Sequence, residues 1–374
     1  MTSVASRLLM VCVAAGLIFP APAHADELGT AARERQWPLE VMGVPAAWEL
    51  SRGEGVTVAV LDTGVDTHHP DLAGAVVEGP DLTGAGTTRV GRHGTSMASL
   101  IAGRGHGEGG ELGVVGVAPR ARVLSIRVTL EADDPARTDP HVAVLVRGAV
   151  ARGIRWAVDH GAEVISMSLG GGDGSYRGSP DEDAAVRYAL SKGVVLVASS
   201  GNDGEGANRP TFPAAYPGVI AVGAVDERLG PAPFSNRQDY VSVTAPGTGI
   251  VSADGHASYV VGDGTSSAAA FVAGIAALIK ARHPGIGVTD VRRAILQGSV
   301  RMNTGRRDEA YGSRVANARR ALLAAGAPRR VLMAARPRQA AVGGDLRSTG
   351  VGPLIWAALL LLVVALVARV ALRA

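Results

Sequence analysis

VAVLDTGVDTHHPDL, Val58 to Leu72, is the stretch whose reading decides the fold. It continues an apolar run that opens at Val56 (VTVAVL, Val56 to Leu61), with no polar residue alternating through it. Such a run suits a strand buried on both faces, and therefore a parallel sheet covered by helices. Asp62 follows at once, at the carboxyl edge of that sheet, where open α/β folds build their sites. The tripeptide Asp62-Thr63-Gly64 belongs to two unrelated chemistries. In one, its aspartate joins a second aspartate to activate water; in the other, it orients a histidine that serves a serine nucleophile.

Outward from this strand the same type recurs at Val123 to Val128, Glu163 to Leu169, Val194 to Ser199 and Val219 to Val225. Helical segments lie between, so the fold class is α/β with a mainly parallel sheet. Asp139-Pro140 predicts the start of a helix that stops near Gly161, and Ser179-Pro180 predicts another that ends at Gly193. Thr289 predicts the cap of a later helix running to about Gln297. No composition shift or linker divides 37–325, which is read as one domain. The 50 glycines among 374 residues are about twice the ordinary share, implying many tight turns and close backbone approaches.

Three further groups carry chemistry. Gly91-Arg92-His93-Gly94 stands at the mouth of a helix, and a glycine-flanked imidazole there can approach another group closely and take a proton near neutral pH. His68 and His69, beside Pro70, read as surface or structural. Gly264-Thr265-Ser266 opens an apolar helix in which Gly274 permits tight packing. Ser266 alone reads sooner as a helix cap than as a nucleophile; as a nucleophile it has the positive end of the helix dipole beside it. VVLVASSGN ends in Asn202, which puts a side-chain amide at the sheet edge shared with Asp62. No HExxH spacing occurs, so a zinc site has no support. The acidic stretch Glu131 to Asp139 reads as a solvated loop near the cleft rather than a ligand.

Both ends read as membrane addresses. Arg7, the apolar LLMVCVAAGLIF and Ala23-His24-Ala25 make a signal peptide over 1–25, with 26–36 a short N-terminal extension. Residues 326–352 read as a tether, and 353–372 as an apolar span near the roughly 20 residues that cross a bilayer. This orientation leaves the domain extracytoplasmic and Arg369 and Arg373 cytoplasmic. Arg336, Arg338 and Arg347 on the outer side run against the positive-inside bias, but an exported domain carries its flanking charges with it. Cys12, the only cysteine, lies in the signal peptide, so the mature chain has no disulfide and no thiol nucleophile. The formal charge of +3 arises partly from arginines after Arg319, and aromatics are only 4%. That pattern is a basic tail rather than a nucleic-acid surface.

Asp62, His93, Asn202 and Ser266, in that order, resemble the subtilisin-like serine proteases over about Trp37 to Ala325. The resemblance implies a three-layer α/β fold and peptide-bond hydrolysis by an Asp62-His93-Ser266 triad with Asn202 as oxyanion donor. It also implies substrate binding along Ser168, Leu169 and Gly170 in SMSLGGGDG, where a peptide adds as a strand. A second Asp-Thr/Ser-Gly motif is absent, which disfavours the paired-aspartate chemistry. Tyr216-Pro217 matches a stretch where the family often has a cis-proline. Calcium is common in the family, but no dense carboxylate loop identifies a site here, and no cofactor is expected. Ala270 replaces the family's usual proline after the nucleophile, and the segment between Ala25 and Asp62 is too short for the family's folding propeptide. With both membrane signals, the whole resembles mycosins, the membrane-anchored proteases of type VII secretion systems. Secretion-system components then become expected partners, and the alternative role is a structural subunit whose proteolysis is dispensable.

Overall fold

In the computed structural model the described residues are 23–86, 91–170, 178–301 and 314–327. The chain divides after Ala327 into two compact units, and every described residue belongs to the first. Of the sequence expectations, the signal peptide up to residue 22 with Cys12, the tether beyond Ala327 and the apolar span 353–372 fall outside the described residues. Among the described residues no helix is long and apolar enough to cross a membrane.

In chain order the strands are β1 (Thr57–Asp62), β2 (Val76–Asp81), β3 (Arg104–His106), β4 (Leu112–Val115), β5 (Arg122–Arg127), β6 (Val164–Met167), β7 (Val195–Ser199), β8 (Ile220–Val225), β9 (Val241–Pro246), β10 (Ile250–Asp254), β11 (Ser258–Gly262), β12 (Val300–Arg301) and β13 (Arg314–Val315). The helices are α1 (Ala23–Glu34), α2 (Trp37–Val41), α3 (Val44–Ala47), α4 (Arg92–Ala102), α5 (Pro140–Arg147), α6 (Ala149–Asp159), α7 (Pro180–Ser191), α8 (Thr265–Arg282), α9 (Val288–Gly298) and α10 (Ala318–Gly326). The main sheet runs β12-β13-β9-β8-β7-β6-β1-β5-β2, parallel throughout except for the terminal β12–β13 pair. The expected α/β architecture is therefore present, and β1 is an interior strand, third from the β2 edge, between β5 and β6.

Strand alternation builds the three layers. Val58 and Val60 enter the core that contains α4 and α8, whereas Ala59 and Leu61 enter the opposite core with α6 and α7. The Val58, Val60 and Leu61 side chains each contribute about 1.5–3 kcal/mol by leaving water, and the Ala59 methyl less. Helix α8 is buried almost all round, which explains its unbroken apolar sequence. Gly274 permits its closest approach: a β-carbon there would stand 2.6 Å from that of Val117.

Several boundaries differ from the sequence expectation. The helix capped by Asp139 breaks at Gly148 into α5 and α6. Ser179 caps α7 at the Glu182 N–H as expected, but Gly287, not Thr289, is the cap position of α9. The cis peptide is Phe212-Pro213 rather than Tyr216-Pro217; the Tyr216 hydroxyl is instead tied to Ser179 and Glu182.

The short segment before the domain is an integral part of it. Helix α1 lies against β4, and the Arg33 guanidinium donates to the carbonyls of Gly110, Leu112 and Gly113 at 2.7–3.1 Å. Gln36 pairs with both main-chain groups of Val115, copying a sheet ladder with its amide. Beneath this contact, buried Asp71 accepts from His106 Nδ1 at 2.5 Å and from the Val114 N–H at 2.7 Å.

Candidate active site

Asp62 closes β1 and is 1% exposed. Its Oδ1 accepts the Thr63 N–H at 2.7 Å and His93 Nδ1 at 2.7 Å. The bond to a carboxylate, which can only accept, requires the His93 proton on Nδ1 and leaves Nε2 as the ring's basic nitrogen. His93 is the second residue of α4, and glycines on both sides allow this approach. A β-carbon at Gly94 would lie 2.0 Å from the Gly64 carbonyl oxygen, and one at Gly91 would lie 2.3 Å from it. The Gly94 N–H donates to Thr63 Oγ1 at 3.0 Å, so α4 is fastened to the chain just beyond Asp62. Arg92 turns away from the site into a bidentate pair with Asp254 of β10, at 2.8 and 2.7 Å.

Glu131 was missed by the sequence reading. The loop is mostly exposed, as expected, but Glu131 within it is half-buried and its Oε1 accepts the His93 main-chain N–H at 2.9 Å. Asp134 in the same stretch is 3% exposed and pairs with Arg127. Only the position of this acidic run after a strand at the same sheet edge could have hinted at either contact. Burial pulls the His93 imidazole toward the neutral form. The Asp62 carboxylate, by charge and hydrogen bond, and the Glu131 charge outweigh that pull and hold the pKa above the ordinary imidazole value.

The other half of the site is at the start of α8. Asn202 follows β7, and its Oδ1 accepts from the Thr265 N–H at 2.9 Å and the Thr265 hydroxyl at 2.8 Å. Gly201, at φ 104°, makes the turn that brings it there. Ser266 is the second residue of α8, beside the Thr265 so held. Ser168 donates its hydroxyl to the Ser266 carbonyl at 3.1 Å, which joins the end of β6 to the same helix turn. Among the described residues the Ser266 hydroxyl has no hydrogen-bond partner, and α4 and α8 pack against one another.

Of the strand-addition residues, Gly170 is exposed at φ 95°, and a β-carbon on it would meet Thr211 Cγ2 at 2.4 Å. The Leu169 side chain is buried in the core beside α6 and α7, so only its main chain is available at the edge. Gly171 and Gly172 lie outside the described residues. His69 is fully buried and bonds the Ser258 carbonyl at 3.1 Å, whereas His68 is exposed. Both are remote in role from the Asp62–His93 pair, as expected. Among the described residues no group of three or more His, Cys, Asp or Glu side chains could hold a metal ion.

The Subtilase family (peptidase S8) profile matches residues 53–313. The chain belongs to the subtilase family. It is 37% identical over 263 residues to thermitase of Thermoactinomyces vulgaris, covering 70% of this chain and 87% of thermitase. The crystal structure of MycP1 from Mycobacterium smegmatis matches with a TM-score of 0.63 and 29% identity, covering 76% of this chain and 84% of that one. A second structure, of MycP1 from the ESX-1 type VII secretion system, matches with a TM-score of 0.63 and 28% identity, covering 76% and 85%. This subtilase is a serine endopeptidase of the subtilisin-like kind, and mycosin structures stand among its structural relatives.

Proposed function

We propose that the protein is a membrane-anchored, extracytoplasmic endopeptidase associated with type VII secretion, cutting peptide bonds through Asp62, His93 and Ser266. The observation that carries the catalytic part is the 2.7 Å bond between His93 Nδ1 and a buried Asp62. It fixes the tautomer a proton acceptor needs. In this mechanism Ser266 Oγ attacks the peptide carbonyl while its proton passes to His93 Nε2. The developing oxyanion is met by the Asn202 amide and by the Ser266 N–H at the positive end of α8. Collapse of the tetrahedral intermediate returns the proton from His93 to the leaving amine, and water repeats the sequence to free Ser266.

Placement outside the membrane rests on the signal-peptide pattern in 1–25 and the apolar span 353–372. Association with secretion rests on the likeness to MycP1, one of whose structures is described as from the ESX-1 type VII secretion system. A single experiment addresses catalysis: a fluorophosphonate probe labels the full-length chain, and labelling is lost in Ser266→Ala. Undiminished labelling of Ser266→Ala would refute the assignment. Complementation of a deletion strain by the same variant distinguishes the alternative role: normal secretion by the inactive protein favours a structural subunit.

A further inference from the structure

Helix α4 begins without a cap of its own. Gly91 holds the cap position and offers no side-chain acceptor, and the first turn contains no acidic residue. The opening N–H groups of a helix have no partner within it, and they form the positive end of its dipole. His93 supplies one of those N–H groups. Its acceptor comes from outside the helix, from Glu131 Oε1 at 2.9 Å. The loop carrying Glu131 is itself pinned. Arg137 donates through Nε to the Glu131 carbonyl at 2.6 Å and through Nη2 to the Leu130 carbonyl at 2.7 Å. Asp134 accepts the Ala136 N–H at 2.9 Å and pairs with Arg127.

We propose that Glu131 is a positioning residue for His93: its carboxylate caps the uncapped start of α4 and clamps the main chain that carries the imidazole. The inference rests on the reading of His93 as proton acceptor. Asp62 grips the ring at Nδ1 from β1, and Glu131 grips the backbone of the same residue from the loop after β5. With both in place the ring has two anchors on opposite sides of its own Cα, and Nε2 is left for the serine hydroxyl.

Glu131 also contributes negative charge beside the ring, second to Asp62 as an electrostatic neighbour. The other charged groups on elements packed against α4 are engaged elsewhere. Arg92 holds Asp254 of β10, and the Glu131 and Asp133 charges both act on that guanidinium. Asp71 holds His106, and Arg127 of β5 lies between Asp81 and Asp134. Asp66 accepts the His68 and His256 N–H groups. The first turn of α8 (Thr265, Ser266, Ser267) and β4 carry no charge. Because Glu131 also acts on Arg92, its effect is read on the His93 ring itself, where the other charge acting is that of Asp62.

The test uses the full-length chain in two backgrounds. In Ser266→Ala protein, the low-field proton resonance of His93 Nδ1–H is followed against pH with Glu131 intact, as Glu131→Gln and as Glu131→Ala. In active protein, the rate of fluorophosphonate labelling is followed over the same range, with thermal unfolding confirming that each variant folds. Glu131→Gln is expected to shift both profiles to lower pH while its amide oxygen still accepts the His93 N–H. Glu131→Ala is expected to show that shift and also to lower the plateau labelling rate about fivefold, the ratio that ~1 kcal/mol of capping represents. Glu131→Gln should keep more of the plateau than Glu131→Ala. Coincident His93 titrations in all three proteins, or a Glu131→Ala plateau equal to that of the parent, would overturn the proposal. Absence of labelling in the parent would overturn the catalytic reading instead, and the titration in Ser266→Ala protein would still decide whether Glu131 acts on the ring.

Discussion

The side-chain oxygen of Asn202 accepts two hydrogen bonds from one residue, the main-chain N–H and the hydroxyl of Thr265. A main-chain N–H can only donate, so the atom facing it must be the amide oxygen, and the amide NH2 is turned to the other side. That orientation gives Asn202 a donor held at the start of α8, next to Ser266. Replacing Asn202 with Leu is expected to lower kcat on a peptide substrate by ~10²–10³ with a small change in KM, because the lost bond forms only as the oxyanion develops. Steady-state kinetics check this; a loss confined to KM would place Asn202 in ground-state binding.

Asp62→Asn should be more damaging. The amide offers the His93 ring a donor or a weaker acceptor in place of a charged oxygen, and the tautomer with the proton on Nδ1 loses its preference. A fall in kcat of ~10⁴ is expected, with the fold retained because the side chain keeps its volume and can still accept the Thr63 N–H. Circular dichroism alongside the kinetics separates this from unfolding.

The raised pKa of His93 sends activity and stability in opposite directions as pH changes. The proton acceptor must be neutral, so labelling at Ser266 is expected to rise with pH through a midpoint above the ordinary imidazole value of about 6.5. For stability, the folded-state pKa lies above the unfolded one. The imidazolium–carboxylate contribution is therefore fully present below the unfolded pKa and is lost as pH rises through the folded value. Thermal unfolding of the parent and of His93→Ala across that window should converge as pH increases. A gap that widens with pH would contradict the direction assigned here.

How much of this was legible in the sequence follows from what kind of contact each feature needs. Strands β1, β5, β6, β7 and β8 are buried on both faces, and their largely apolar runs announced them, although β5 carries Ser125 and Arg127 and β6 carries Ser166. Strand β2, VVEGPD, exposes Val77 and Glu78 and contains Gly-Pro, so neither periodicity nor composition marks it as a strand. Asp62, His93, Asn202 and Ser266 were singled out because each sits beside a local signal: a strand end, a glycine-flanked helix mouth, a Gly-Asn after an apolar run, or the opening of an apolar helix. The Asp62–His93 pair and the Asn202–Thr265 pair are where that reading and the geometry meet. Glu131 has no such signal. It acts on the main chain of a residue distant in sequence, a contact set by how the loop after β5 meets the start of α4. The same holds for Arg33, whose partners are three carbonyls of the β3–β4 hairpin.

Those carbonyls make Arg33 the fastening of the N-terminal helix. Arg33→Ala removes all three bonds and leaves part-buried acceptors without the donor. A destabilisation of roughly 1–3 kcal/mol is expected, read as a Tm lower by several degrees, together with earlier proteolytic clipping before Gln36. Arg33→Lys should recover part of the loss, since an ammonium can reach one carbonyl but cannot fork across several. An unchanged Tm in Arg33→Ala would mean that Ala32 and Gln36 suffice to hold α1.

Gly94 provides the most direct check that close backbone approach creates the site. A β-carbon at this position would lie 2.0 Å from the Gly64 carbonyl oxygen and 3.2 Å from the Asp62 β-carbon. The carbonyl is main chain and cannot rotate aside, so α4 must withdraw from β1. Because the Gly94 N–H is bonded to Thr63 and the next residue inward is His93, the withdrawal carries the imidazole away from Asp62. Gly94→Ala is therefore expected to cost about 1–3 kcal/mol of stability and to reduce labelling of Ser266 by a larger factor than the stability loss explains. Measured well below its own Tm, the variant should be folded and nearly inactive. A folded Gly94→Ala protein with full activity would show that the Asp62–His93 bond survives a shift of the helix, and that the glycine is there for packing alone.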